Sequence, residues 1–141
     1  MTMEDPARFS KLFAALDEAG RKRLLALSTK QQHQQGAVIC REGEPGDDFF
    51  VITRGTVTVT GDDFGTSKTL ATLGAGQFFG ELTALSNQPR QATVVAAEPL
   101  ELICIPLVAV NEVLKAQPAA FALLQKAGLH RIEETLKKLA E

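Results

Sequence analysis

Residues 36–60 read GAVICREGEPGDDFFVITRGTVTVT, and their reading decides the architecture. Three short β-rich runs, Val38-Ile39-Cys40, Phe49 to Thr53 and Thr56 to Thr60, are parted by Gly43, Pro45-Gly46-Asp47 and Gly55. The rhythm continues downstream in Thr69 to Leu73, Thr93 to Ala97 and Leu100 to Ile105, with Gly61-Asp62-Asp63, Gly74 and Gly76 between them. Strand-like runs roughly ten residues apart with glycine turns predict an antiparallel sandwich or barrel. No strand–helix alternation of the kind that builds a parallel sheet interrupts them.

On both sides of this body the apolar period becomes helical. Phe9, Leu12, Phe13, Leu16, Leu24, Leu25 and Leu27 follow helical spacing between Pro6 and Ser28, and Gly20 is expected to break the stretch into two short helices. Gln31 to Gln35 reads as an exposed first strand or its lead-in. Past Leu107, Val110, Val113 and Leu114 form one short helix. Pro118 fits the first turn of a second, running to about Leu139. On that helix Leu129, Ile132, Leu136 and Leu139 repeat with heptad spacing. The stripe either folds back on the β-body or makes a homodimer seam. Gly128, mid-helix, is a hinge or a point of close packing.

The 141 residues suit a single domain, expected to divide into an N-terminal helical part and lead-in (1–35), a β-body (36–106) and C-terminal helices (107–141). Apolar residues at 45% and charged residues at 23% are the balance of a folded globular chain rather than a disordered one. A net charge of −2 gives no general attraction to nucleic acid or anionic membrane, so neither is an expected partner. Arg21-Lys22-Arg23 reads as a solvated helix face. The longest apolar run, Leu102 to Val110, is broken by Pro106 and is too short to span a bilayer. Met1 to Ala19 carries Glu4, Asp5, Asp17 and Glu18 and lacks a signal-type apolar core, so a cytoplasmic location is expected. Cys40 and Cys104 lie in apolar strand runs without CxxC spacing and read as reduced core residues. His33 and His130 stand far apart, and no cluster of metal ligands or general-base histidine is evident. Neither a metal nor an enzymatic activity is expected.

Chemistry concentrates in Phe78 to Val94, FFGELTALSNQPRQATV. Gly80 permits close backbone approach and precedes a short helical stretch, Glu81 to Leu85, whose first N–H groups face any bound anion. Arg90 is the residue type that grips a phosphate through paired hydrogen bonds. Glu81 suits a sugar hydroxyl beside that phosphate. One phosphate and one ribose satisfy the set; a structural Arg–Glu pair satisfies it nearly as well.

The same segment resembles the phosphate-binding cassette of the cyclic nucleotide-binding domain family, found in regulatory subunits of cAMP-dependent kinase, bacterial cyclic-nucleotide-gated channels and the catabolite activator group. Gly36 to Val59 resembles the family's other signature, in which Gly43, Gly46, Gly55 and Asp47 turn the early hairpins. The resemblance implies a mainly β fold: an antiparallel, jelly-roll-like β-roll with N-terminal helices and a C-terminal lid helix. It implies cAMP or cGMP as ligand, cAMP being the expected preference, and a regulatory rather than catalytic role. Arg90 would neutralise the cyclic phosphate and Glu81 would accept from the ribose 2′-hydroxyl. The N–H groups of Leu82, Thr83 and Ala92 would meet the phosphate and ribose, with Gly80 allowing the approach. Gln91 stands where relatives carry a small residue, and its amide either contacts the base or crowds the phosphate. Arg131 falls where channel-type relatives place a base-stacking arginine, with His130 beside it; a solvated helix arginine is the other reading. No helix-turn-helix follows the lid, so the output is expected in an effector protein or an effector domain outside this sequence.

Overall fold

The computed structural model describes residues 11–63, 65–80, 90 and 92–140. The described residues begin with helices α1 (Lys11–Ala15) and α2 (Glu18–Ala26). Eight strands follow: β1 (Thr29–His33), β2 (Val38–Cys40), β3 (Asp48–Arg54), β4 (Val57–Asp63), β5 (Thr66–Leu73), β6 (Phe78–Phe79), β7 (Thr93–Ala96) and β8 (Leu100–Pro106). Helices α3 (Leu107–Lys115) and α4 (Pro118–Ala140) close the described chain. The strands form two four-stranded sheets, in the orders β1-β8-β3-β6 and β2-β7-β4-β5. Every pairing is antiparallel. This is the antiparallel body the glycine-punctuated runs predict, in the β-roll form the family resemblance implies.

Two cores explain why β3 and β8 are apolar without alternation. Phe49, Val51, Ile103 and Ile105 face the helices, packing with Phe13, Leu16, Leu24, Val110 and Leu124. Phe50, Ile52, Leu102 and Cys104 face the roll interior, with Val57, Phe79, Val94 and Ala96 from the other strands. A strand buried on both faces reads as a continuous apolar run. Register fixes the two faces, since Phe50 stands opposite Cys104 and Phe49 opposite Ile105. Phenylalanine pairs mark each core: Phe49 stacks on Phe78 with centroids 5.4 Å apart, and Phe50 on Phe79 at 4.8 Å.

The N-terminal helices depart from expectation in two ways. The break falls at Asp17, not at Gly20, which lies buried inside α2. Asp17 caps α2, its carboxylate accepting from the Gly20 N–H at 2.7 Å. Gly20 is small because α3 packs against it: an added Cβ would stand 3.2 Å from Val113. The Asp17 N–H also donates to Gln117, between α3 and α4, and hydrogen bonds from Gln117 and Gly20 hold its carboxyl below the ordinary value. The basic run is not wholly solvated either. Arg21 donates to the carbonyls of Phe13 and Leu16, satisfying groups that the end of α1 leaves open. Arg23 pairs with Glu112 of α3 at 3.0 Å.

Gly55 turns the β3–β4 hairpin at φ 93°, and a Cβ there would strike the Pro99 carbonyl. Helix α4 lies along α1, α3 and β5. Leu129 and Leu136 on α4 are 62% and 63% exposed, so the heptad stripe does not fold back at those positions. The side chains of Ile132 and Leu139 lie outside the described set. Among the described residues, no helix is long and apolar enough to cross a membrane.

Candidate functional site

Arg90 is the one buried charged or polar residue among those described, with 8% of its surface exposed. Its backbone is fixed on both sides. The Gly43 N–H donates to the Arg90 carbonyl at 2.8 Å, and the Arg90 N–H donates to the Glu44 carbonyl at 2.9 Å. The turn after β2 therefore sets where the side chain starts.

The guanidinium lies at the mouth of the roll interior. Its Nη2 donates to the Asp48 backbone carbonyl at 2.7 Å. Its Cζ stands 5.7 Å from the centroid of the Phe50 ring, a cation–π arrangement. Two glycines flank it. A Cβ on Gly46 would run into Nε and Cζ, and a Cβ on Gly80 would lie 2.7 Å from Nη1. Gly80 has φ 93°, a conformation side chains disfavour, and its missing Cβ also clears the Asp48 carbonyl. Nη1 is buried and makes no hydrogen bond among the described residues. A buried guanidinium arm without an acceptor is costly unless an acceptor comes to it, and an anion is the acceptor that fits.

Burial raises the Cys40 thiol above its ordinary pKa. Burial, the charge of Asp48 and a hydrogen bond to its carboxylate push Cys104 up to about 11. Both cysteines are free and buried, as their strand positions predict. Among the described residues, no group of three His, Cys, Asp or Glu side chains is placed to hold a metal.

Of the residues singled out in the sequence, Gly80 and Arg90 come together here, and Ala92 stands two residues beyond Arg90, just before β7. Glu81, Leu82, Thr83 and Gln91 lie outside the described residues. His130 is exposed on α4. Arg131 belongs to the same helix, and its side chain is outside the described set. Sequence reasoning assigned Gly46 to a turn, whereas its role is to make room for Arg90. It also passed over Asp48, whose carbonyl anchors an arginine 42 positions away. No local signal marks either, because both roles arise from a contact between distant segments.

The arrangement is a β-roll with helices at both ends and, among the described residues, one buried arginine at its mouth. The comparisons give the family. Residues 30–117 match the model of the cyclic nucleotide-binding domain. A cyclic nucleotide-gated potassium channel of Rhizobium etli is 41% identical over 96 residues, which are 68% of this chain and 26% of the channel. The regulatory domain of Toxoplasma gondii cAMP-dependent protein kinase, crystallised with cAMP, superposes with a TM-score of 0.77. It is 26% identical, over 85% of this chain and 45% of that one. The catabolite activator protein of Thermus thermophilus superposes at 0.78 with 26% identity, over 93% and 62% of the two chains. The chain belongs to the cyclic nucleotide-binding domain family, a regulatory and not a catalytic family. It spans about a quarter of the length of the channel it matches.

Proposed function

We propose that this domain senses cAMP in preference to cGMP and signals by moving its C-terminal helix. The observation that carries the reading is Arg90, buried between two glycines with one guanidinium arm unpaired among the described residues. A cyclic phosphate supplies the missing acceptor and the opposite charge in one group. Glu81 would take the ribose 2′-hydroxyl, and the N–H groups of Leu82, Thr83 and Ala92, beside Gly80, would complete the cradle. Gln91 would face the phosphate or the base. The preference for cAMP is supported by the cAMP-bound Toxoplasma gondii structure, which shares the fold.

In this mechanism the phosphate draws the cassette inward, and the apolar contacts of Leu82 and Leu85 with the hinge near Leu107 to Leu114 shift. Helix α4 then closes over the base, offering Arg131 and His130 as its lid contacts. Nucleotide moves this equilibrium only by binding the closed state more tightly than the open one. The effector that reads the movement is a partner protein or a further domain.

Calorimetric titration with cAMP and cGMP, first on the wild-type chain and then on Arg90→Ala, is the test. Binding of both nucleotides with cAMP tighter is expected. Arg90→Ala should lose about 100-fold or more in affinity while keeping its circular dichroism spectrum, because charged hydrogen bonds to phosphate are the strong ones. Near-native affinity in that variant would refute the phosphate assignment.

A second reading rests on Leu129 and Leu136, apolar and exposed one heptad apart. In it the domain has lost nucleotide binding and acts as a dimerisation or interaction module. The protein has no Trp or Tyr, so nucleotide carried through purification would stand out near 260 nm and separate the two readings.

A further inference from the structure

We infer that the paired outer faces of α2 and α3 form a docking surface for a second copy of this chain, related to the first by a two-fold axis. This surface involves neither the roll interior nor α4.

The two helices run antiparallel and in step. Asp17 meets Gln117, Gly20 faces Val113 and Arg23 meets Glu112. One turn onward along α2 lies Leu27, and one turn back along α3 lies Val108. Residues four apart share a helix face, so both side chains stand beside the Arg23–Glu112 bridge and at one level. The sheet brings the same corner together independently. Strand β1 starts just after Leu27, with Thr29 opposite Cys104, and β8 ends just after Cys104, at Pro106. Leu27 is 44% exposed and Val108 79%, the most of any large apolar side chain described. Neither packs in either core, and Pro106 is exposed beside them.

The order of residues along this strip fits a second copy. Ala19 stands level with Ala116, Arg23 with Glu112 and Leu27 with Val108, all of them exposed. The rungs are small against small, cation against anion, and apolar against apolar. A two-fold axis lying in the contact plane, between the helices and parallel to them, sets α2 on the partner's α3 without a change of level. Leu27 then meets the partner's Val108, and Arg23 meets the partner's Glu112, each contact made twice. No rung brings like charges together. The side chains of Arg23 and Glu112 are 54% and 58% exposed, and a guanidinium has donors for both its own carboxylate and the partner's. Lys22, at the edge of the strip, pairs with Glu18 at 3.2 Å and adds no unbalanced charge. A self-complementary patch of this kind is what a closed two-fold dimer requires.

Sedimentation velocity on the full chain tests this surface. Wild-type protein should show a monomer–dimer equilibrium with a dissociation constant of about 0.1 mM or tighter, in the range of a small contact. Val108→Asp, an acid in the first turn of a helix, should keep the circular dichroism spectrum and weaken the dimer about 10-fold or more. Arg23→Glu and Glu112→Arg each set like charges on both central rungs, and each alone should be monomeric. Mixed in equal amounts they should dimerise again, because every rung then joins opposite charges. Repair within one chain cannot give that result. A wild-type chain that stays monomeric up to about 1 mM overturns the inference. So does a dimer that survives Val108→Asp and falls apart in Leu136→Asp, which would place the contact on α4. A mixture of the two charge variants that remains monomeric, beside a dimeric wild type, overturns it as well.

Discussion

Phe49 and Phe50 are neighbours in sequence and belong to different cores. Phe49 stacks on Phe78 among apolar residues from all four described helices or their ends. Phe50 stacks on Phe79 in the roll interior, with a guanidinium over its ring. One strand therefore carries two kinds of burial, packing alone on one face and packing bounded by charge on the other. Stability can be lost on the helix side without touching the arginine. Function can be lost on the roll side without emptying a core.

The largest effect expected is on the helix side. Phe49 is fully buried, and Phe49→Ala should cost about 3–5 kcal/mol of unfolding free energy in urea. The folded fraction should keep its ratio of cAMP to cGMP affinity. A changed ratio would mean the two faces of β3 are not separable. Next comes the thiol of Cys104. Its folded pKa of about 11 lies above the ordinary 9.0, so the native state holds the proton more tightly. The stabilisation is complete below pH 9 and is lost as pH rises from 9 through about 11. Up to about 2–3 kcal/mol disappears over that window, and Cys104→Ala should flatten the alkaline limb of the stability curve. An unchanged alkaline limb in Cys104→Ala would remove Cys104 as its source. The smallest effect on stability sharpens the comparison most. Gly46→Ala places a methyl where Arg90 lies, and should weaken cAMP binding about 10-fold with less than about 1 kcal/mol of destabilisation. A drop in stability with affinity intact would show that Arg90 has room to move aside.

The strands were legible because their chemistry is local. β-Branched runs and glycine turns announce an antiparallel sandwich or barrel, which the family resemblance narrows to a β-roll, and β3 and β8 each carry a run of four apolar residues, Phe49 to Ile52 and Leu102 to Ile105. Gly20 was misread for the opposite reason. A glycine that makes room for Val113 looks in sequence like one that ends a helix. The two-residue strand β6 was hidden inside the cassette, where Phe78 and Phe79 carry no period of their own. Arg90 was legible through the residues around it, and Gly80 with it. Gly46 and Asp48 were not, because their roles exist only once the turn before β3 meets residue 90. Glu81, Leu82, Thr83 and Gln91 remain assigned by resemblance.

The pairing of β1 with β8 has a consequence for the order in which the chain can fold. Thr29 stands opposite Cys104 and His33 opposite Leu100, so the first strand finds its partner only when the last has been made. The β4–β5 hairpin, closed by adjacent residues, can form long before. As the chain leaves the ribosome, β1 emerges with its backbone groups unpaired and waits. Its sequence, TKQQH, is suited to waiting, being polar on both faces and unattractive to another chain's edge. The glutamines that contribute little to either core keep the unfinished protein soluble until sheet β1-β8-β3-β6 can close.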